Sequence, residues 1–514
     1  MSKKNNICKI FIFTKPVIAV LLLAFFAVLL FSCGNTKNAA DGDDKNAEMT
    51  SETKSPEITE GGDTTDYMPD GVETRDFGGY EFRILTRSTC VHPVYIDSES
   101  ITGEIINDAI YNRNRAAEER FNVKISAVVV HETAPQSDNA NSTPLARKSI
   151  MSGEDFADIT MLHMTDAGTL AAQGLFLDWH TIPDLDLSKP WWDKDVVEGL
   201  TIGGKLYLNT GHFNIESYDY TWGMVFNKQL WQDKGLPDVY ATVKEGAWTL
   251  DYFNDIIKQS TTDVNGDGIY DENDRFGFIA IDRGGLTNFM FGSDQRIFVR
   301  NGGGFDFVLN TERMQSVVEK TYEIYYENNS AYIWKSAMDY FPETQPLDMF
   351  AGGKGLIASA RLAGIPILRG MDTDFGIIPY PKFNEAQREY VSFSDGHTSM
   401  MTIPNTVSSP EIIGTIMEAL SAVNYNTVMK AYYDINLQTK FARDEESSDM
   451  MDIIIKKRIF DLGYVYNSAT GSMGFIINDL INQKKTTFSS EVEKKEASAL
   501  KALEKLITEF ESIQ

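Results

Sequence analysis

The sequence predicts a mixed α/β chain built in more than one lobe. Short apolar runs alternate with helical patterns from about residue 75 to the end. The first three of these elements read strand, helix, strand, the opening of an α/β sheet. No segment recurs at a fixed period, which sets aside a solenoid. At about 100–200 residues per domain, 514 residues make two to four domains.

Tyr80–Thr86 (YEFRILT) reads as a strand. Asn107–Phe121 has helical apolar spacing with i,i+4 charge pairs, and Val123–Val130 (VKISAVVV) is a second strand. Arg147–Met151 leads into a Ser-Gly-Glu-Asp turn, after which Phe156–Leu162 predicts a buried strand and Gly168–Gly174 a short helix. Gly204–Tyr207 predicts a tight turn feeding a strand. Trp222–Phe226 is a strand, Asn227–Lys234 starts a helix, and Trp248–Ser260 is a helix with Thr249 as its N-cap. Further helices fall on Thr311–Asn328, Pro410–Val423, Asn426–Tyr433, Asp449–Leu462 and Glu491–Ile513, with strands on Phe375–Ile378 and Met400–Ile403.

Composition narrows the function. Apolar residues make up 42% and charged residues 24%, as in ordinary globular domains. A formal charge of −27 gives the body no electrostatic reason to bind nucleic acid or an anionic membrane face. Three cysteines, Cys8, Cys33 and Cys90, supply neither a disulfide framework nor a cysteine-based zinc site.

The start of the chain reads as an address. Lys3, Lys4, Lys9 and Lys15 form a positive region, and Pro16–Phe31 follows with no charged or polar side chain. That run is short for a spanning helix, which needs about 20 residues, and suits a secretory signal. The break Leu30-Phe31-Ser32-Cys33 resembles the bacterial lipobox, which implies cleavage after residue 32 and lipidation of Cys33. An uncleaved anchor helix is the other reading, and both place the body outside the cytoplasmic membrane. Residues 33–74, polar and almost free of large apolar side chains, predict a flexible tether.

Residues 263–274 (DVNGDGIYDEND) carry a local motif of high specificity. Asp263, Asn265, Asp267, Asp271 and Asp274 put oxygen ligands at loop positions 1, 3, 5, 9 and 12, Ile269 offers its carbonyl at position 7, and Gly268 occupies the sharp turn at position 6. Calcium takes six to eight such oxygens. Asp274 replaces the usual bidentate glutamate, so the expected affinity is modest. A single loop followed by a strand points to a structural staple rather than a paired sensor.

Taken in order, these features resemble the extracellular solute-binding protein family 1 of ABC importers, the maltose-binding-protein-like lipoproteins. The carrying segments are Cys33, Ser152–Ile159, Gly174–Asp178, Gly204–Tyr207, Val225–Leu230, the loop before Phe276–Phe278, Phe350–Gly355 and Phe375–Pro381. The similarity runs over about residues 75–465. It implies a two-lobe periplasmic-binding-protein-like fold with hinge strands and an interlobe ligand cleft. By resemblance, the N-terminal lobe is 75–218 plus 395–445, the C-terminal lobe 222–392 plus 446–514, and the crossings lie near Tyr218–Trp222 and Val391–His397. Hinge closure on a small polar solute would signal to the permease subunits. A lipid-anchored monomer on the outer face of the cytoplasmic membrane, touching the membrane through its anchor only, completes the expectation.

Sugars call for aromatic platforms and planar polar groups. Trp191 and Trp192 follow Pro190 in a polar loop, and Tyr218, Tyr220 and Trp222 sit at the first crossing. Asp395 and His397 sit at the second, and Arg361 follows a run of small residues. These eight are the expected ligand-binding residues, each set against an ordinary core or surface role. Two rival functions stand beside a saccharide binder: a secreted carbohydrate-active enzyme, and a surface adhesion lipoprotein stiffened by calcium. No GxSxG, HExxH, P-loop or GxGxxG motif is present, and the six histidines lack ligand spacing. The repeats expected of an adhesin are absent as well.

Overall fold

The computed structural model describes residues 68–88, 95–132, 141–334, 344–435 and 445–513. Backbone contacts divide the chain after Thr64, and every described residue belongs to the second unit. Cys8, Cys33 and Cys90, with the leader and most of the tether, lie outside the described residues.

The strands are β1 (Tyr80–Arg87), β2 (Val123–Val130), β3 (Ile159–His163), β4 (Trp222–Asn227), β5 (Phe276–Ile281), β6 (Phe298–Asn301), β7 (Gly304–Phe307), β8 (Ala331–Trp334), β9 (Gly355–Arg361), β10 (Phe375–Ile378), β11 (Ser392–Phe393), β12 (Ser399–Thr402) and β13 (Arg458–Ile459). One sheet has the order β12-β3-β1-β2, and a second β10-β4-β9-β5-β8. In the first, β1 runs parallel to β2 and β3, and β12 is antiparallel to β3. In the second, β5 is parallel to β8 and β9, while β4 runs against β9 and β10. Each sheet is the frame of one lobe.

Local chemistry sets the element ends. Asn227 caps the helix Lys228–Asp233 by accepting from Leu230 N, and Thr249 caps Leu250–Ser260 by accepting from Tyr252 N, as expected. The strand expected from Phe156 starts only at Ile159. Buried Asp158 instead takes the β1 backbone N–H of Arg83 at 2.6 Å and the Tyr80 hydroxyl at 2.6 Å. The short helix expected over Gly168–Gly174 runs over Met164–Ala171. The helix expected to reach Leu462 spans Glu445–Lys456 and gives way to β13, which pairs with β11.

The crossings lie side by side. Thr221 bridges Ser394, Asp395 N donates to Tyr220 O at 3.2 Å, and Leu362 N donates to Thr221 O at 3.0 Å. The C-terminal segment corrects the expectation that it lies wholly in the second lobe. The helix Phe488–Ser512 begins against the helix Glu312–Tyr322, where Ser489 N donates to Gln315 Oε1 at 3.1 Å. It ends on the first lobe, with Phe510 edge-on to Tyr207 at 4.8 Å and Lys205 Nζ donating to Ile513 O. A 25-residue helix is about 37 Å long. That is long enough to tie both lobes together.

Candidate functional site at the strand ends

In open α/β sheets, ligands bind outside the carboxyl ends of the parallel strands. Here the carboxyl ends of both sheets meet at the crossings. β1 ends at Arg87, whose Nη2 donates to His397 O at 2.6 Å and to Ser399 Oγ at 2.7 Å. β3 ends at His163, whose ring lies 5.8 Å from that of His397, nearly perpendicular. β9 ends at Arg361, opposite Trp222 at the start of β4.

Asp395 is the centre of the cluster. Its Oδ2 accepts from Trp222 Nε1 at 2.9 Å and from Arg361 Nη1 at 3.4 Å. Its Oδ1 accepts from His397 N at 2.9 Å and lies 3.2 Å from His397 Nδ1. Burial opposes ionisation of this carboxyl, but Arg361 and then His397 outweigh it and hold it down to about 2. Tyr220 is flanked by Arg361, whose Cζ is 4.6 Å from the ring centroid, and by His397, stacked at 5.9 Å. Close approach favours glycine at two points, strongly at Gly284 and less so at Gly396. A Cβ on Gly284 would sit 2.6 Å from the Trp222 ring, and one on Gly396 would sit 3.1 Å from His163 Cε1. The His397 side chain is 41% exposed while those of Asp395 and Arg361 are 5% and 3%. The cluster thus buries a balanced ion pair and presents an imidazole to solvent.

Five of the eight expected ligand residues, Tyr220, Trp222, Arg361, Asp395 and His397, come together here. His163, Arg87 and Tyr464 join them, the last accepting Gly396 N at 3.2 Å through its hydroxyl. Sequence reading passed them over. For His163 the signal was a polar residue closing a largely apolar strand; Arg87 closes a strand that also holds Glu81 and Arg83 and carried no such signal.

The other three lie elsewhere. Trp191 and Trp192 are 0% and 3% exposed, which corrects the expectation that a polar loop keeps paired indoles out of the core. The loop folds inward: His212 N donates to Trp191 O at 2.8 Å, and Trp192 packs edge-on to Trp179 at 5.6 Å. Trp192 Nε1 donates to Glu418 Oε2 at 2.9 Å, and burial pushes that carboxyl up to about 7. Tyr218 lies under Arg458, whose Cζ is 3.9 Å from its ring centroid, beside a separate cavity of about 960 Å³ that Trp192 also lines. None of the five clustered residues lines that cavity. The strand-end rule makes the cluster the candidate site.

The loop 263–274 folds on its own side chains. Asp263 accepts from Gly266 N at 2.7 Å and Gly268 N at 2.9 Å, Asn265 from Asp267 N, Asp267 from Ile269 N, and Asp271 from Asn273 N. Asp274 accepts from Asp271 N and Val264 N, which lower its carboxyl below the usual range. Gly268 takes a φ of 78°, the left-handed conformation its position needs. Among the described residues, no three His, Cys, Asp or Glu side chains are grouped as a metal ion would hold them.

No family model matches the chain. No curated relative matches it either. Solved structures do. The galacto-N-biose-/lacto-N-biose I-binding protein of the ABC transporter from Bifidobacterium longum, in complex with lacto-N-biose, is similar at a TM-score of 0.54 and 12% identity, over 84% of this chain and 99% of that one. M. tuberculosis UspC gives 0.52 and 12%, over 82% and 100%. The ABC substrate-binding protein Lmo0181 from Listeria monocytogenes, in complex with cycloalternan, gives 0.51 and 11%, over 84% and 100%. The chain has the two-lobe periplasmic-binding-protein-like fold of these proteins.

Proposed function

We propose that the chain is the extracellular substrate-binding lipoprotein of an ABC importer and captures a sugar or oligosaccharide in the cleft between its lobes. One observation carries the reading: the strand ends of both sheets converge on Trp222, Asp395, Arg361, Tyr220 and His397. There the charges cancel internally and an imidazole faces out. A neutral, hydroxyl-rich solute suits such a surface, because it gains hydrogen bonds without having to displace a partner ion. Proteins of similar fold have been solved with lacto-N-biose and with cycloalternan, which supports a saccharide. Asp395, Arg361 and Trp222 act as the rigid base, and Tyr220 and His397 as contacts. Lipidation at Cys33, a tether, a monomeric body on the outer face of the membrane and delivery to permease subunits belong to the same reading.

The test is a thermal-shift screen with mono- and oligosaccharides, followed by titration of intrinsic tryptophan fluorescence. Saturable stabilisation by a sugar is the expected result. A response to peptides alone would overturn the saccharide, and release of reducing sugar from a glycan would replace the binder with an enzyme.

We also propose that Asp263, Asn265, Asp267, Ile269, Asp271 and Asp274 hold a structural calcium ion. The donors are all oxygens, the composition a hard cation prefers. Calcium should raise the melting temperature, and Asp267→Ala should remove most of that rise. A melting curve indifferent to chelation would reject the ion.

A further inference from the structure

The cavity beside Tyr218 is walled by both lobes. One wall is the segment 187–198, tied to the first sheet: Asp193 N donates to Thr210 O at 3.1 Å, Trp192 bridges Gly211, and Asn209 bridges Met401 next to β3. The other wall is Ile455–Arg458, the end of a helix packed on the second sheet, where Ser447 Oγ accepts from Ile377 N at 3.3 Å.

Its charge is opposite to that of the molecule. Five lysine and arginine side chains line it against three carboxylates, in a chain of formal charge −27. The carboxylates are largely engaged, and so are two of the lysines, Lys189 with Asp186 at 3.8 Å and Lys457 with Glu389 at 3.8 Å. Asp193 accepts from Arg458 Nη2 at 2.8 Å through one oxygen and from Asp195 N and Val196 N through the other. Glu198 pairs with Lys194 at 3.5 Å. Burial and then Asp193 raise the carboxyl of Asp195.

Arg458 is the unusual group. It is 6% exposed, and its Nε and Nη1 have no hydrogen-bond acceptor. Buried guanidinium donors without acceptors are costly, and a bound water or ion is a standard remedy. His212 adds a ring that burial keeps neutral, its pKa pulled down to about 4.

We propose that this groove is a second binding site, for a small oxyanion carrying phosphate or carboxylate groups, held by Arg458 and by lysines from both walls. An anion there bridges the lobes away from the strand-end cluster, so its occupancy couples to their relative angle. The proposal does not depend on the identity of the cleft solute, and its test uses none.

The whole chain is titrated calorimetrically with inorganic phosphate and, separately, with citrate, at low and high salt. Saturable one-to-one binding of either, weakened by salt, is expected. The phosphate and citrate arms separate a tetrahedral anion from a polycarboxylate. Lys457→Glu reverses a charge whose side chain is already 42% exposed, so the fold should tolerate it. It should weaken binding about tenfold. Arg458→Met should abolish binding. Heat from neither anion at low salt, or wild-type affinity in Lys457→Glu, overturns the site.

Discussion

The crossing carries the same three residue types on two of its sides. In the strand-end cluster, Arg361 pairs with Asp395 and lies over Tyr220; in the rear groove, Arg458 pairs with Asp193 and lies over Tyr218. The difference lies in which partner is over-supplied. Asp395 takes donors from Trp222, Arg361 and His397, so its charge is more than answered. Asp193 divides itself between Arg458 and a helix N-terminus, and Arg458 keeps N–H groups with no acceptor. One motif thus gives a more fully answered pair in the first place and a larger residual positive demand in the second. A neutral solute fits the first and an anion the second.

The largest expected effect breaks the cluster. Asp395→Ala removes the carboxylate that faces the buried Arg361 guanidinium, 3% exposed, and should cost about 3–5 kcal/mol in urea unfolding. Arg458→Met removes the buried cation itself, and Asp193 keeps its two backbone donors, so the cost should stay below about 1.5 kcal/mol. Equal costs would mean that Arg458 is an ordinary structural residue, and the contrast between the two sides would fall.

Much of the first side was legible in the sequence and little of the second. Strand and helix periodicity located β1, β2, β4 and β10 closely, because those segments pack locally with the pattern their residues prefer. The pairing of Trp222 with Asp395 spans 173 positions, yet each was legible as a residue at a crossing. Arg458 was not. It sits in a stretch read as helix, and only pairing of β13 with β11 turns it toward Asp193. Trp191 and Trp192 misled for a related reason. Their polar neighbours described the loop's outer face, while burial of the indoles depends on Trp179, Tyr425 and Glu418, which local sequence does not show.

Two carboxyls sharpen the comparison by titrating in opposite senses. Asp395 is held down to about 2, below the unfolded value of about 3.9, so its contribution is complete above the unfolded pKa and fades as pH falls through 2. Glu418, under Trp192 on the first-lobe wall, is pushed up to about 7, above its unfolded value. Its favourable protonated state is therefore lost as pH rises through 7. Between about pH 5 and 7 Glu418 should pull the melting temperature down, against the opposite contribution of His212, held down to about 4, and Glu418→Gln should remove that downward part of the slope. An unchanged slope in that variant would show that other groups govern stability over this range.

The smallest effect is the most specific to function. His397 offers the exposed part of the strand-end cluster, and Asp395 retains the backbone N–H of residue 397 when the ring is gone. His397→Ala should therefore cost about 1 kcal/mol or less in unfolding free energy, the worth of the one ring contact to Asp395. It should still weaken the cleft solute by about 1.4 kcal/mol, roughly tenfold, by removing a ring contact and its hydrogen bond. Trp191→Ala is the matched control: it opens a core cavity, costs about 3–5 kcal/mol in stability, and should leave affinity per folded molecule unchanged. If Trp191→Ala weakened the solute while His397→Ala did not, the binding surface would lie on the Trp191 side of the crossing, and the strand ends would be scaffold alone.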